Sequence, residues 1–203
     1  MRPLGSLAIA CAIGVAALYP EALIYDRAHG AEFWRYLTAS LVHYDSPHLW
    51  TNLAAFCLLA VWLERVTSSR FLFALAVAVA LLATLVLHLL LPEYVRFAGV
   101  SAVNYALLAA LAGSGRMPYG RRVIGIAVAY QLWIALRAGG PPMDVVQPVW
   151  QLHLLALALG WGSAAARIDM GRRGGLRGVG APVTQRQHRV PTTRAGGVRQ
   201  PGA

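Results

Sequence analysis

Seven polar side chains interrupt otherwise apolar stretches of this sequence: His48, Asn52, His88, Ser101, Asn104, Gln131 and His153. Inside a lipid-embedded helix such residues are costly and turn toward protein or water, so each is a candidate for function. His48 and Asn52 stand four apart, on one helical face. They fall in the first turns of their stretch, which opens on Ser46-Pro47, an expected N-cap followed by proline at the first helical position. Ser101 opens a later stretch, and His153 lies about 7 Å along the last one. If successive stretches cross a bilayer in alternating directions, one hydroxyl, two imidazoles and one carboxamide share a depth below the outer surface. Serine hydrolysis of a peptide bond needs a nucleophilic hydroxyl, a base in hydrogen-bond reach and donors for the oxyanion. Ser101 and His153 supply the first two; Asn52, His48 and the Ser101 backbone N–H supply the third. No carboxylate lies at that depth, so the expected form is a Ser–His dyad.

The other polar residues have plainer readings. Taken alone, Ser101 is a small residue at a tight helix crossing. His43 reads as a solvated or loop-bracing residue, His88 as a packing or interfacial histidine, and Asn104 as a donor between helices. Gln131 receives no role, and Glu64 with Arg65 reads as a structural pair at the inner face.

Six stretches must position these residues, at about 4–20, 47–64, 70–91, 101–114, 122–138 and 148–166. Crossing a bilayer takes roughly 20 mostly apolar residues, and with 58% apolar residues and a mean hydropathy of +0.54 the chain has the material. The fold class expected is an all-α polytopic membrane protein. The first stretch could pass for a signal peptide, but Leu18-Tyr19-Pro20-Glu21-Ala22 is a poor cleavage site, so an uncleaved span is expected. The fourth, Ser101 to Ser114, rises only about 21 Å. It is too short to cross while exposed to lipid and is expected at the centre, with the loop Phe97-Ala98-Gly99-Val100 dipping into the bundle. Ala102, Ala106, Ala110, and Ala109 with Gly113, put small residues at four-residue spacing, as do Ala156, Gly160 and Ala164 on the His153 stripe, so these two helices can approach closely.

All 18 basic residues are arginine, against eight acids, for a net charge of +10. They punctuate apolar runs and do not cluster on a soluble face, so no nucleic-acid partner is expected. Cys11 and Cys57 lie inside apolar runs, which argues against a disulfide framework or a cysteine metal site. With the N-terminus inside, inner segments hold 14 arginines and outer loops only Arg27, Arg35, Arg96 and Arg137, while six of the eight acids fall outside. That asymmetry predicts both termini in the cytoplasm. The expected organisation is a six-span membrane domain over residues 1–168 and a basic tail over 169–203, too poor in large apolar residues to fold.

Trp34-Arg35-Tyr36-Leu37-Thr38, Leu41-Val42-His43-Tyr44 and His48-Leu49-Trp50-Thr51-Asn52 resemble the first loop and H-x-x-x-N motif of the rhomboid intramembrane serine proteases. Gly99-Val100-Ser101-Ala102, continued by Tyr105-Ala106-Leu107, resembles their G-x-S-G nucleophile motif. His153, Ala156 and Gly160 resemble their base motif H-x-x-G-x-x-x-G. The resemblance covers residues 21–165. It implies a six-helix bundle with a short central fourth helix, Ser101 as nucleophile, His153 as base, His48 and Asn52 at the oxyanion site, Gly99 in the serine loop, and Tyr105 against the His153 ring. It implies no cofactor or metal; the expected partners are a membrane-spanning protein substrate and the bilayer of the inner (plasma) membrane. Tyr25-Asp26-Arg27, Leu91-Pro92-Glu93 and the absence of a soluble domain look most like the compact rhombosortase branch, thought to cleave C-terminal GlyGly-CTERM sorting tails. Two departures stand out: Ala102 and Ala156 replace motif glycines where helices should touch, and each added methyl could lengthen the Ser101 to His153 contact. Two alternatives stay open, a catalytically inactive rhomboid-like client binder, and a haem-binding electron carrier ligated by His48, His88 and His153.

Overall fold

The computed structural model describes residues 3–137 and 149–178, with side chains in the last helix through Arg167. Among the described residues the chain runs α1 (Leu4–Ala16), α2 (Pro20–Leu23), β1 (Tyr25–Asp26), a 3-10 turn (Arg27–His29), α3 (Arg35–Thr38), α4 (Ser46–Val66), α5 (Ser69–Leu90), β2 (Arg96–Phe97), α6 (Ser101–Gly113), α7 (Gly120–Arg137) and α8 (Trp150–Gly178). A helix of at least 13 residues stands at each of the six apolar stretches. Among the described residues only α4 and α5 are long and apolar enough to cross a membrane by length and composition; α1 and α6 are apolar but shorter. The expected start of the sixth stretch at residue 148 falls outside the described residues. The α8 backbone stays helical to Gly178, past residue 168 where the membrane domain is expected to end. The rest of the tail, 179–203, lies outside the described residues.

The short fourth stretch is central, as its length requires. In α6, Ala102, Val103, Asn104, Ala106, Leu107 and the run Ala109–Ala112 are all buried. α6 packs against α4, α5, α7 and α8, most extensively against α8. Small residues set that last contact. A Cβ on Gly160 would lie 2.1 Å from the carbonyl oxygen of Ala106, and one on Gly113 would lie 3.0 Å from the Ala164 Cβ. The α8 backbone therefore rests directly on α6 at Gly160.

Helix ends are satisfied by identifiable groups. Asp45 caps α4, accepting from the His48 N–H at 2.7 Å. The expected cap, Ser46, is instead the first helical residue, because the acidic side chain one position earlier reaches the same amide. Ser68 caps α5. Glu64 corrects a second expectation. It is buried and turns to the start of α1, accepting from the N–H groups of Gly5 and Ser6, each at 2.8 Å, and from the hydroxyls of Ser6 and Ser69. Arg65 is exposed and is not its partner. A carboxylate on the orphan amides at a helix N-terminus suits both charge and donors, so Glu64 ties α1 to α4 and α5.

At the opposite end the segment between α1 and α4 is fastened by arginines. Arg35, 8% exposed, donates Nη1 to the carbonyls of Glu21 and Ile24, both at 2.8 Å, and Nε to Glu32 at 2.7 Å. Arg27 reaches the last carbonyls of α5, those of Leu87 at 2.9 Å, His88 at 2.8 Å and Leu91 at 3.2 Å, where a cation complements the helix dipole. Tyr25 and Asp26 pair antiparallel with Phe97 and Arg96, joining this loop to the chain just before the serine. Sequence reading gave these short strands no notice.

Candidate active site

The serine loop is held from both sides before it enters α6. The Gly99 N–H donates to the Ala39 carbonyl at 3.0 Å, and the Val100 N–H points to His43 Nε2 at 3.4 Å. Gly99 adopts φ +126, a conformation side chains disfavour, and a Cβ there would meet His48 Cε1 at 3.0 Å. Glycine is thus required both for backbone geometry and for the approach of the His48 ring. His43 braces the loop, as its position suggests. Burial, helped by the neighbouring His48 and opposed by Asp45, pushes its pKa down to about 4, so near neutrality it keeps the lone pair that faces Val100.

Ser101 is the first residue of α6. Unlike α4 and α5, this helix has no side-chain cap, which leaves its first amides facing the site. Ser101 and Tyr105, four apart, share a face, and His153 on α8 lies over both. The Ser101 Oγ is 2.9 Å from His153 Nε2, and the Tyr105 ring tilts 31° against the imidazole at a centroid distance of 4.5 Å. Ala102 and Ala156 are each 1% exposed, inside the core. With both methyls present the serine to histidine contact is 2.9 Å, and the α8 backbone rests directly on α6 at Gly160, where the glycine is kept.

Asn52 sits one helical turn along α4 from His48. Its Nδ2 donates to the His48 carbonyl at 3.0 Å, and its Oδ1 receives Asn104 Nδ2 at 3.2 Å. Asn104 also donates to the Asn52 backbone carbonyl at 3.0 Å, so it is the interhelical donor that its type and place suggest. A carboxamide has two N–H bonds, so the His48 carbonyl accounts for one of them. The His48 ring lies against Gly99, with His43 in edge contact at 4.9 Å and Tyr44 stacked at 6.2 Å. Ser101, His153, Tyr105, Gly99, His48 and Asn52 thus come from the serine loop and three helices to one end of the bundle.

Sequence reasoning missed one member. Gln131 on α7, fully buried, places Oε1 3.0 Å from His153 Nδ1 and Nε2 2.6 Å from the Tyr105 hydroxyl. Its only sequence signal was a carboxamide in an apolar helix, and nothing in its spacing joined it to His153. Two histidines of the haem alternative, His153 and His88, are engaged by other side chains. His153 engages Ser101 and Gln131 with its two ring nitrogens, and His88 bonds the Tyr25 hydroxyl through Nδ1 at 2.7 Å. Among the described residues no three His, Cys, Asp or Glu side chains group as a metal site.

A serine hydroxyl against a histidine, beneath an uncapped helix N-terminus in an apolar bundle, is an arrangement suited to acyl transfer. Residues 30–169 match the Rhomboid domain, and the chain belongs to the rhomboid family. Rhomboid proteases are intramembrane serine proteases that act on membrane protein substrates within the bilayer, although rhomboid-like members can be inactive. A comparison with curated proteins finds no match.

Proposed function

We propose that this chain is an active intramembrane serine endopeptidase using Ser101 as nucleophile and His153 as general base. The observation that carries this reading is the 2.9 Å approach of Ser101 Oγ to His153 Nε2, kept despite alanine at both departures from the family pattern. Ser101 Oγ attacks the scissile carbonyl as its proton passes to His153 Nε2. The oxyanion is held by the Ser101 N–H, Asn52 and His48. Collapse breaks the C–N bond, His153 returns the proton to the leaving amine, and water activated by the same histidine then hydrolyses the acyl-enzyme.

In this reading six helices cross the inner membrane, both termini are cytoplasmic, and the site lies toward the outer face. The arginine asymmetry supports that orientation. The substrate is the C-terminal sorting segment of a membrane-anchored exported protein, as in the rhombosortase branch. Support for the branch is the likeness of Tyr25-Asp26-Arg27 and Leu91-Pro92-Glu93 to that group; in this chain Tyr25 bonds His88, Asp26 pairs with Arg96 and Arg27 covers the end of α5. The test is co-expression with a protein ending in Gly-Gly, an apolar span and arginines. Wild type should release the shortened product and Ser101→Ala should not. Equal processing by Ser101→Ala overturns the protease assignment, whereas cleavage of other membrane proteins but never of this tail overturns the branch alone.

A further inference from the structure

We propose that Gln131 is the positioning residue for His153, completing a Ser101–His153–Gln131 relay in which a neutral carboxamide takes the place a carboxylate fills in serine triads. The inference rests on the reading of Ser101 and His153 as nucleophile and base. A neutral imidazole carries one N–H and one lone pair. To accept the serine proton, His153 must present its lone pair at Nε2, so its own proton must sit on Nδ1. Gln131 Oε1, which can only accept, lies 3.0 Å from that Nδ1. The amide is itself oriented, since its Nε2 donates to the Tyr105 hydroxyl at 2.6 Å, which turns the oxygen toward the histidine. Tyr105 in turn lies along the imidazole face. The ring is therefore fixed by an in-plane acceptor and by a stacked ring, and both supports are joined to each other.

Burial explains the choice of side chain. Gln131 and His153 are 0% and 8% exposed. An ionised carboxylate in that place would carry a large desolvation cost, whereas a carboxamide selects the tautomer without burying a charge. Because α7 supplies Gln131 while α6 and α8 supply the other partners, correct seating of α7 is a condition for a competent base.

The test uses the full chain in detergent micelles. Cleavage kcat and KM, and the rate of fluorophosphonate labelling, are measured across pH for wild type, Gln131→Leu, Gln131→Glu and Ser101→Ala. Gln131→Leu should lower kcat and labelling by about 10²-fold or more with KM nearly unchanged. Gln131→Glu should retain much more activity, because it still accepts the Nδ1 proton. Its rate profile should move to higher pH, because a carboxylate holds the imidazolium more tightly. A purely structural glutamine would leave the kcat of the folded fraction of Gln131→Leu unchanged. Wild-type kcat in Gln131→Leu overturns the inference, and so does a folded Gln131→Glu whose kcat falls by about 10²-fold or more, which decides the matter if the leucine variant does not fold. Labelling that persists in Ser101→Ala instead overturns the nucleophile reading beneath it.

Discussion

At the residue scale, Ser101 and His153 are useful only if nothing else fills the space where a carbonyl must enter, and the uncapped start of α6 provides for that. Replacing Asn52 by alanine should slow cleavage by about 10²–10³-fold, the usual effect of losing one oxyanion donor, while the protein remains folded; single-turnover rates with a thermal melt check both. Gly99→Ala should impair activity more than an ordinary loop substitution, since it strains a positive φ and pushes on His48 together. His43 supplies a pH dependence whose sign is fixed. Its folded pKa of about 4 lies below the ordinary 6.5, so the unfolded chain takes up a proton between those values that the folded chain refuses. Stability should be unaffected above about pH 6.5 and should fall as the pH drops from there toward 4. The thermal midpoint of His43→Gln should lose that share of the acid sensitivity, and identical pH curves for the two proteins would refute it. Ser101, His153, His48 and Asn52 were legible because each combines a polar type with a position at one end of an apolar stretch. Gln131 was not, because its partner is 22 residues away on another helix and only packing brings them together.

At the element scale, α6 and α8 govern the site, because the registry of their small residues fixes how Ser101 meets His153. The stripes Ala102, Ala106, Ala110 and Ala156, Gly160, Ala164 were readable as periodicity, and the shortness of the stretch Ser101 to Ser114 already required a central place. Which residues make the tightest approach was not readable, since that depends on the crossing point. A methyl at Gly160 would sit 2.1 Å from a backbone oxygen that cannot move aside. Gly160→Ala should therefore destabilise by about 1–3 kcal/mol and depress activity more than Ala156→Gly changes it, as read by thermal denaturation and cleavage rate. Cap placement was legible to within one residue at α4, where Asp45 outcompetes Ser46 for the same amide. The capping of α1 by Glu64 was beyond sequence reasoning, being a contact across 59 residues.

At the scale of the whole molecule, the bundle has two differently fastened ends. One is sealed by Glu64 against α1, the other by Arg27, Arg35 and the Tyr25–Asp26 pairing that hold the loop over the site. Composition and periodicity exposed the six helical stretches, because apolar runs are a property of the local chain. The loop architecture was hidden, because arginine to carbonyl contacts have no period. If the arginine excess orients the chain, cysteine substitutions at Arg27 and Arg121 should label from opposite sides of the membrane, Arg27 from outside. The account stands most directly on the identity of the nucleophile. Mass-spectrometric mapping of the fluorophosphonate adduct on purified, folded protein is expected to find a single modified residue, Ser101, with no adduct in Ser101→Ala or His153→Ala. Folded wild type that takes up no probe, or an adduct that survives in Ser101→Ala, would contradict it.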